Sequence, residues 1–151
     1  MNRWLLTFLL LAGLVVIAYP RPHKRFLRYQ SHKAAVATVA RLGPQLHDSD
    51  LIFHTSQSAQ SQAIQLATHS PCSHCGILYK NAGQWQVFEA VQPVKLTPLA
   101  DWVARGQGGH FVVKRLRDAD TALTPTDLAN LRAAGGAHAG AQLRFVFRLG
   151  R

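Results

Sequence analysis

A chain of 151 residues has room for one domain and a short extra segment. Its 48% hydrophobic and 9% aromatic content suffices for a core, which excludes a wholly disordered chain. The formal charge of +10 would suggest a nucleic-acid partner, but the excess is local: five Lys/Arg and no acid lie between Arg21 and Lys33, and Arg144, Arg148 and Arg151 close the chain.

From Ala34 to Gln142, eight Lys/Arg face seven acids, so the body of the chain is nearly neutral and carries no basic stripe. No nucleic-acid partner is expected. A basic segment beside an apolar run fits an anionic membrane surface instead, each Lys/Arg contributing about 1 kcal/mol there.

That apolar run is Trp4 to Tyr19, sixteen residues without a charge. As a helix it spans about 24 Å, slightly short of the ~30 Å hydrocarbon core. A transmembrane anchor and a signal peptide remain open for residues 1–20. The absence of a small-x-small cleavage site after it favours the anchor. The basic flank would keep the domain inside, whereas a signal-type N-terminus argues for export, so the membrane side stays open.

Residues 21–46 form a basic juxtamembrane linker with a helix over 25–42 ending at Gly43-Pro44. Asp50 to His54 reads as a short buried strand. Ser58 to Thr68 reads as a helix with Ala59, Ala63, Ile64 and Ala67 inward and Ser58, Ser61, Gln62 and Gln65 outward. Pro71 then breaks the chain.

His74 to Lys80 and Gln84 to Val91 form a hairpin through Asn81-Ala82-Gly83. A register pairing Tyr79 with Gln86 puts His74 and Glu89 on one face as diagonal neighbours, roughly 7 to 8 Å apart at the backbone. A shift of one residue would separate them. Thr97-Pro98 predicts a cap and first turn for a short helix ending at Gly106. His110 to Leu116 predicts a strand, and Thr124-Pro125 predicts a capped helix ending at Gly135-Gly136. Residues 137–151 are basic, acid-free and unlike the rest.

His74 with Glu89 matches the base-and-orienter half of a Cys-His-acid or Ser-His-acid site, although on spacing alone such residues are more often at the surface. Cys72 and Cys75 form a single C-x-x-C. With His69, His74 and His110 nearby a zinc site is conceivable, as is a redox pair, but two small thiols packed inside is the plainer reading. No metal or cofactor is expected. Ser56, Ser58 and Ser61 read as caps and solvated positions.

The segment DLIFHTSQSAQSQAIQLATHSPCSHCGI followed by VFEA resembles the YiiX-like family of permuted papain-like cysteine hydrolases, relatives of NlpC-type cell-wall hydrolases. The resemblance covers about Asp50 to Leu116. It implies an α+β, circularly permuted papain-like (NlpC-like) domain, with an antiparallel sheet and packed helices, over residues 47–136. On this pattern His74 is the general base and Glu89 its polar partner. The substrate is a cell-wall peptide or another amide or acyl (lipid) compound.

The family pattern also places a nucleophilic Cys downstream, after a Tyr-Asp-x-Tyr-Phe-x-Trp segment. No cysteine follows Cys75 here, and Cys72 is a poor substitute. A back-translation of Gln142 to Arg151, read one nucleotide later, gives Asn-Tyr-Asp-Ser-Tyr-Phe-Val-Trp. A frameshifted or truncated, inactive product is therefore the expectation, on a membrane-anchored protein of the bacterial cell envelope. The alternative is a membrane-anchored domain that binds peptide or lipid without chemistry.

Overall fold

The computed structural model describes Trp4 and residues 20–142. The apolar run after Trp4 and the tail from Leu143 on lie outside the described residues. Among the described residues no helix is long and apolar enough to cross a membrane.

The chain runs through α1 (Pro20–Leu42), β1 (Leu51–His54), α2 (Ser61–Thr68), β2 (His74–Asn81), β3 (Gln84–Glu89) and β4 (Lys95–Pro98). It continues through α3 (Leu99–Arg105), β5 (Phe111–Lys114), α4 (Ala119–Ala122) and α5 (Pro125–His138). The strands form one antiparallel sheet in the order β4-β3-β2-β1-β5. This is the mixed helix-and-antiparallel-sheet architecture expected from the sequence.

Period-two alternation sends Ile52, Leu78 and Val87 to one face, where Ala35 of α1 and Leu99, Trp102 and Val103 of α3 complete the core. Burying such side chains is worth about 1.5 to 3 kcal/mol each. Helix α1 meets this core only from Ala35 onward. Residues 25 to 34 are exposed all round, and His32 reaches Asp101 at 3.0 Å. The opposite sheet face is covered at the β2-β3 end by α5, where Gly135 lies against Phe88. Leu51 and Val112 remain exposed on it.

The hairpin register pairs Tyr79 with Gln86, and Ala82 and Gly83 turn the chain with φ of 46° and 80°. Both positive angles are what a two-residue turn matching strand twist requires. Helix α5 opens at the Thr124 cap that the sequence predicts, there closed into a capping box with Asp127, and runs past the predicted end at Gly135-Gly136 to His138.

Three local expectations are corrected. Helix α2 starts at Ser61 and is turned the other way: Ser61 is buried while Ala63, Ile64 and Ala67 are exposed. Hydroxyl bonding decides that orientation, because Ser61 Oγ lies 2.6 Å from Ser73 Oγ and accepts from Gln65 Nε2 at 2.9 Å. Thr97 does not cap α3. Its hydroxyl instead donates to Glu89, and Pro98 occupies the cap position. Lys95–Pro98 is an edge strand, where a proline costs no ladder bond.

Candidate active site

The site lies where β1 and β3 end and β2 begins, beside α3. His54 and His74 are register partners across β1 and β2, and Glu89 closes β3 on the same face. The predicted diagonal relation is therefore realised: His74 Nε2 lies 2.7 Å from Glu89 Oε2.

Glu89 is only 1% exposed, so its charge must be met inside the protein. It accepts from Thr97 Oγ1 at 2.5 Å, from Trp102 Nε1 at 3.1 Å, and from Arg105 Nη2 at 2.8 and 2.6 Å. Burial pushes its pKa upward. The bonds from His74, Thr97 and Arg105, with the Arg105 charge, outweigh that and hold it down to about 2. Glu89 is thus a carboxylate at any physiological pH.

An ionised carboxylate only accepts hydrogen bonds, so His74 donates from Nε2. The neutral ring then keeps its lone pair on Nδ1. Its side chain is one-fifth exposed and borders an open cleft of about 550 Å³. An imidazole fixed in one tautomer with a free basic nitrogen at a cleft is what proton abstraction requires.

His54, Ser56, Gln57, Ser73, Val91 and Arg105 also line this cleft. His54 stacks on Trp102 with centroids 3.8 Å apart and planes 16° apart, and its centroid is 5.4 Å from that of His74. Burial, then the charges of His74 and Arg105, lower its pKa to about 4 against a smaller pull from Glu89. Ser73 lies in the cleft floor, accepting from the Ser56 backbone N–H at 2.8 Å and paired with Ser61. It ties the loop before α2 to β2.

The two cysteines, expected as packed thiols, are instead half-buried (Cys72) and exposed (Cys75). Strand alternation turns Cys75 away from His74, and neither thiol lines the cleft. Among the described residues no group of three or more His, Cys, Asp or Glu could hold a metal ion. Sequence reasoning missed Arg105, Trp102, Thr97 and His54. Only His54 carried a usable signal, since alternation along Leu51–His54 puts it on the face of Ile52.

The model of the permuted papain-like amidase enzymes, the YaeF/YiiX or C92 family, matches residues 45–140. The chain belongs to this family. The amidase family's YiiX protein of Escherichia coli strain K12, described as uncharacterized, is 54% identical over 67 residues. That match covers 44% of this chain and 33% of the relative. A crystal structure described as metalloprotein yiiX from Escherichia coli O157:H7 matches with a TM-score of 0.61 and 41% identity. It covers 66% of this chain and 54% of that one, so this chain spans about half the length of the solved relative.

Proposed function

We propose that this chain supplies the base-and-orienter half of a cysteine amidase site, with His74 as general base and Glu89 as the residue that fixes it. The observation that carries this reading is the 2.7 Å bond from His74 Nε2, at the wall of an open cleft, to a fully buried carboxylate whose charge is already paired with Arg105. Glu89 holds the ring so that Nδ1 draws the proton from a thiol, and the imidazolium that results is stabilised by the same carboxylate. The chain has two cysteines, Cys72 and Cys75, and neither lines the cleft, so the attacking thiol of this reading is one that this chain does not supply. The substrate class is a peptide amide, with cell-wall peptides and acyl compounds as the range to test.

The description of the solved relative as a metalloprotein does not lead to a metal step here. The two cleft imidazoles, His54 and His74, belong to no group of three or more His, Cys, Asp or Glu among the described residues, and His74 Nε2 is committed to Glu89. The run Trp4 to Tyr19 and the basic residues from Arg21 to Lys33 support a membrane-anchored protein of the cell envelope. Fractionation of expressing cells tests this, with release from membranes by salt alone counting against an anchor.

A second reading is favoured by the lack of a cleft thiol among the described residues: a groove that binds peptide or lipid without cleaving it. A panel of peptide amides and acyl esters, followed by mass spectrometry, separates the two. Products that vanish on His74→Ala support the hydrolase. Retained ligand, no product and affinity indifferent to His74→Ala support the binding domain.

A further inference from the structure

His54 is 3% exposed, yet its Nδ1 has no hydrogen-bond partner. The only other such buried side-chain atom among the described residues is Gln86 Oε1. Nδ1 is sealed against Gly106, where even a Cβ would stand only 2.7 Å from it. A neutral imidazole carries one N–H, and its position follows from this burial. A proton on Nδ1 would be an orphaned buried donor, the rarer and costlier defect, whereas a bare Nδ1 is only an under-used acceptor. The proton therefore resides on Nε2. That nitrogen is not sealed off, and the ring forms part of the cleft wall.

No hydrogen bond links His54 to His74, although they are register partners with centroids 5.4 Å apart. The stack on Trp102 fixes the His54 ring plane. Burial, with the Arg105 charge beside it, keeps the ring neutral at physiological pH. One imidazole thus offers a lone pair to the cleft and the other offers a proton.

We propose that His54 is the carbonyl-recognising residue of this cleft, donating from Nε2–H to the carbonyl oxygen of an amide whose cleavage His74 assists. This rests on the amidase reading of the cleft. A preorganised donor facing the oxygen on which charge develops favours the transition state over the ground state, and its fixed ring needs no reorganisation. Neutrality suits the role, since an imidazole that stays uncharged does not compete with His74 for the transferred proton.

The test uses the full chain with ¹⁵N-labelled histidine at pH 7, followed by two-bond ¹H–¹⁵N correlation. N-methylacetamide, the smallest secondary amide, is the titrated probe. The expected result is an Nε2–H tautomer for His54 whose Nε2 resonance moves with the probe. His54→Phe, which can keep the stack on Trp102, should weaken the probe's effect on His74 by roughly fivefold, the worth of one neutral hydrogen bond. An Nδ1–H tautomer overturns the proposal, as does an Nε2 resonance that stays still across the titration. If Nε2 responds but hydrolysis of 4-nitrophenyl acetate by the chain is indifferent to His74→Ala, the carbonyl site stands and the assignment of His74 as base fails.

Discussion

Gly106 is pressed so closely on His54 that a Cβ added to it would lie 2.7 Å from Nδ1 and 3.2 Å from Cγ. The His54 ring cannot retreat, because Trp102 is stacked on its face at 3.8 Å. Gly106→Ala should therefore cost about 1 to 3 kcal/mol of stability, the usual penalty of overpacking. Thermal unfolding measures the loss. Trp102 fluorescence should change with it, because the stack must open, and unchanged fluorescence with unchanged stability would show that the ring has room.

Glu89 governs the acid limb of stability. Its folded pKa is depressed to about 2, below the ordinary value of 4.5, so the unfolded chain binds the proton first as pH falls. Its contribution is present in full above about pH 4.5 and lost as pH drops toward 2, amounting to roughly 3 kcal/mol. Asp50, paired with Arg115 at 2.7 Å, is also lowered and adds to the same window. Glu89→Gln should flatten the acid limb in chemical unfolding followed between pH 2 and 6. It should also cost about 3 to 5 kcal/mol at pH 7, because Arg105 and His74 lose the charge they share.

Thr97→Val keeps the side-chain shape and removes the 2.5 Å donor to Glu89. A hydrogen bond to a charged group is worth about 1.5 to 3 kcal/mol, and the loss should appear in urea midpoints. The acid limb should shift to higher pH as well, since one of the bonds holding Glu89 ionised is gone.

Ser73→Ala should cost about 1 to 3 kcal/mol, by leaving the Ser56 N–H and Ser61 Oγ short of a partner. Hydrogen exchange should speed up first in Ser61–Thr68, whose hold on the sheet is this hydroxyl chain rather than apolar packing. An effect spread evenly over the domain would contradict that view of α2.

The hairpin was legible because Ala82-Gly83 and two alternating strands allow few registers, and the register alone brought His74 and Glu89 together. Helix α5 was legible through Thr124 and Asp127, whose capping is local in sequence. Helix α2 was misread because a small amphipathic pattern has no way to show that Ser61 would find Ser73. Arg105 and Trp102 were invisible as site residues for a similar reason. They reach Glu89 across sixteen and thirteen residues, and nothing in the local pattern of α3 marks that contact. Thr97 had two uses open to it, a cap and a buried donor, and burial of the Glu89 charge decided between them.

The most direct test of the base-and-orienter assignment is hydrolysis of an activated ester, 4-nitrophenyl acetate, by the full chain. An oriented imidazole can activate water toward such an ester without a protein thiol, and general-base assistance is worth about a hundredfold or more. The account predicts a rate above background that falls at least tenfold in His74→Ala and stays unchanged in Cys72→Ser. A rate indifferent to His74→Ala, or one abolished by Cys72→Ser, would contradict it.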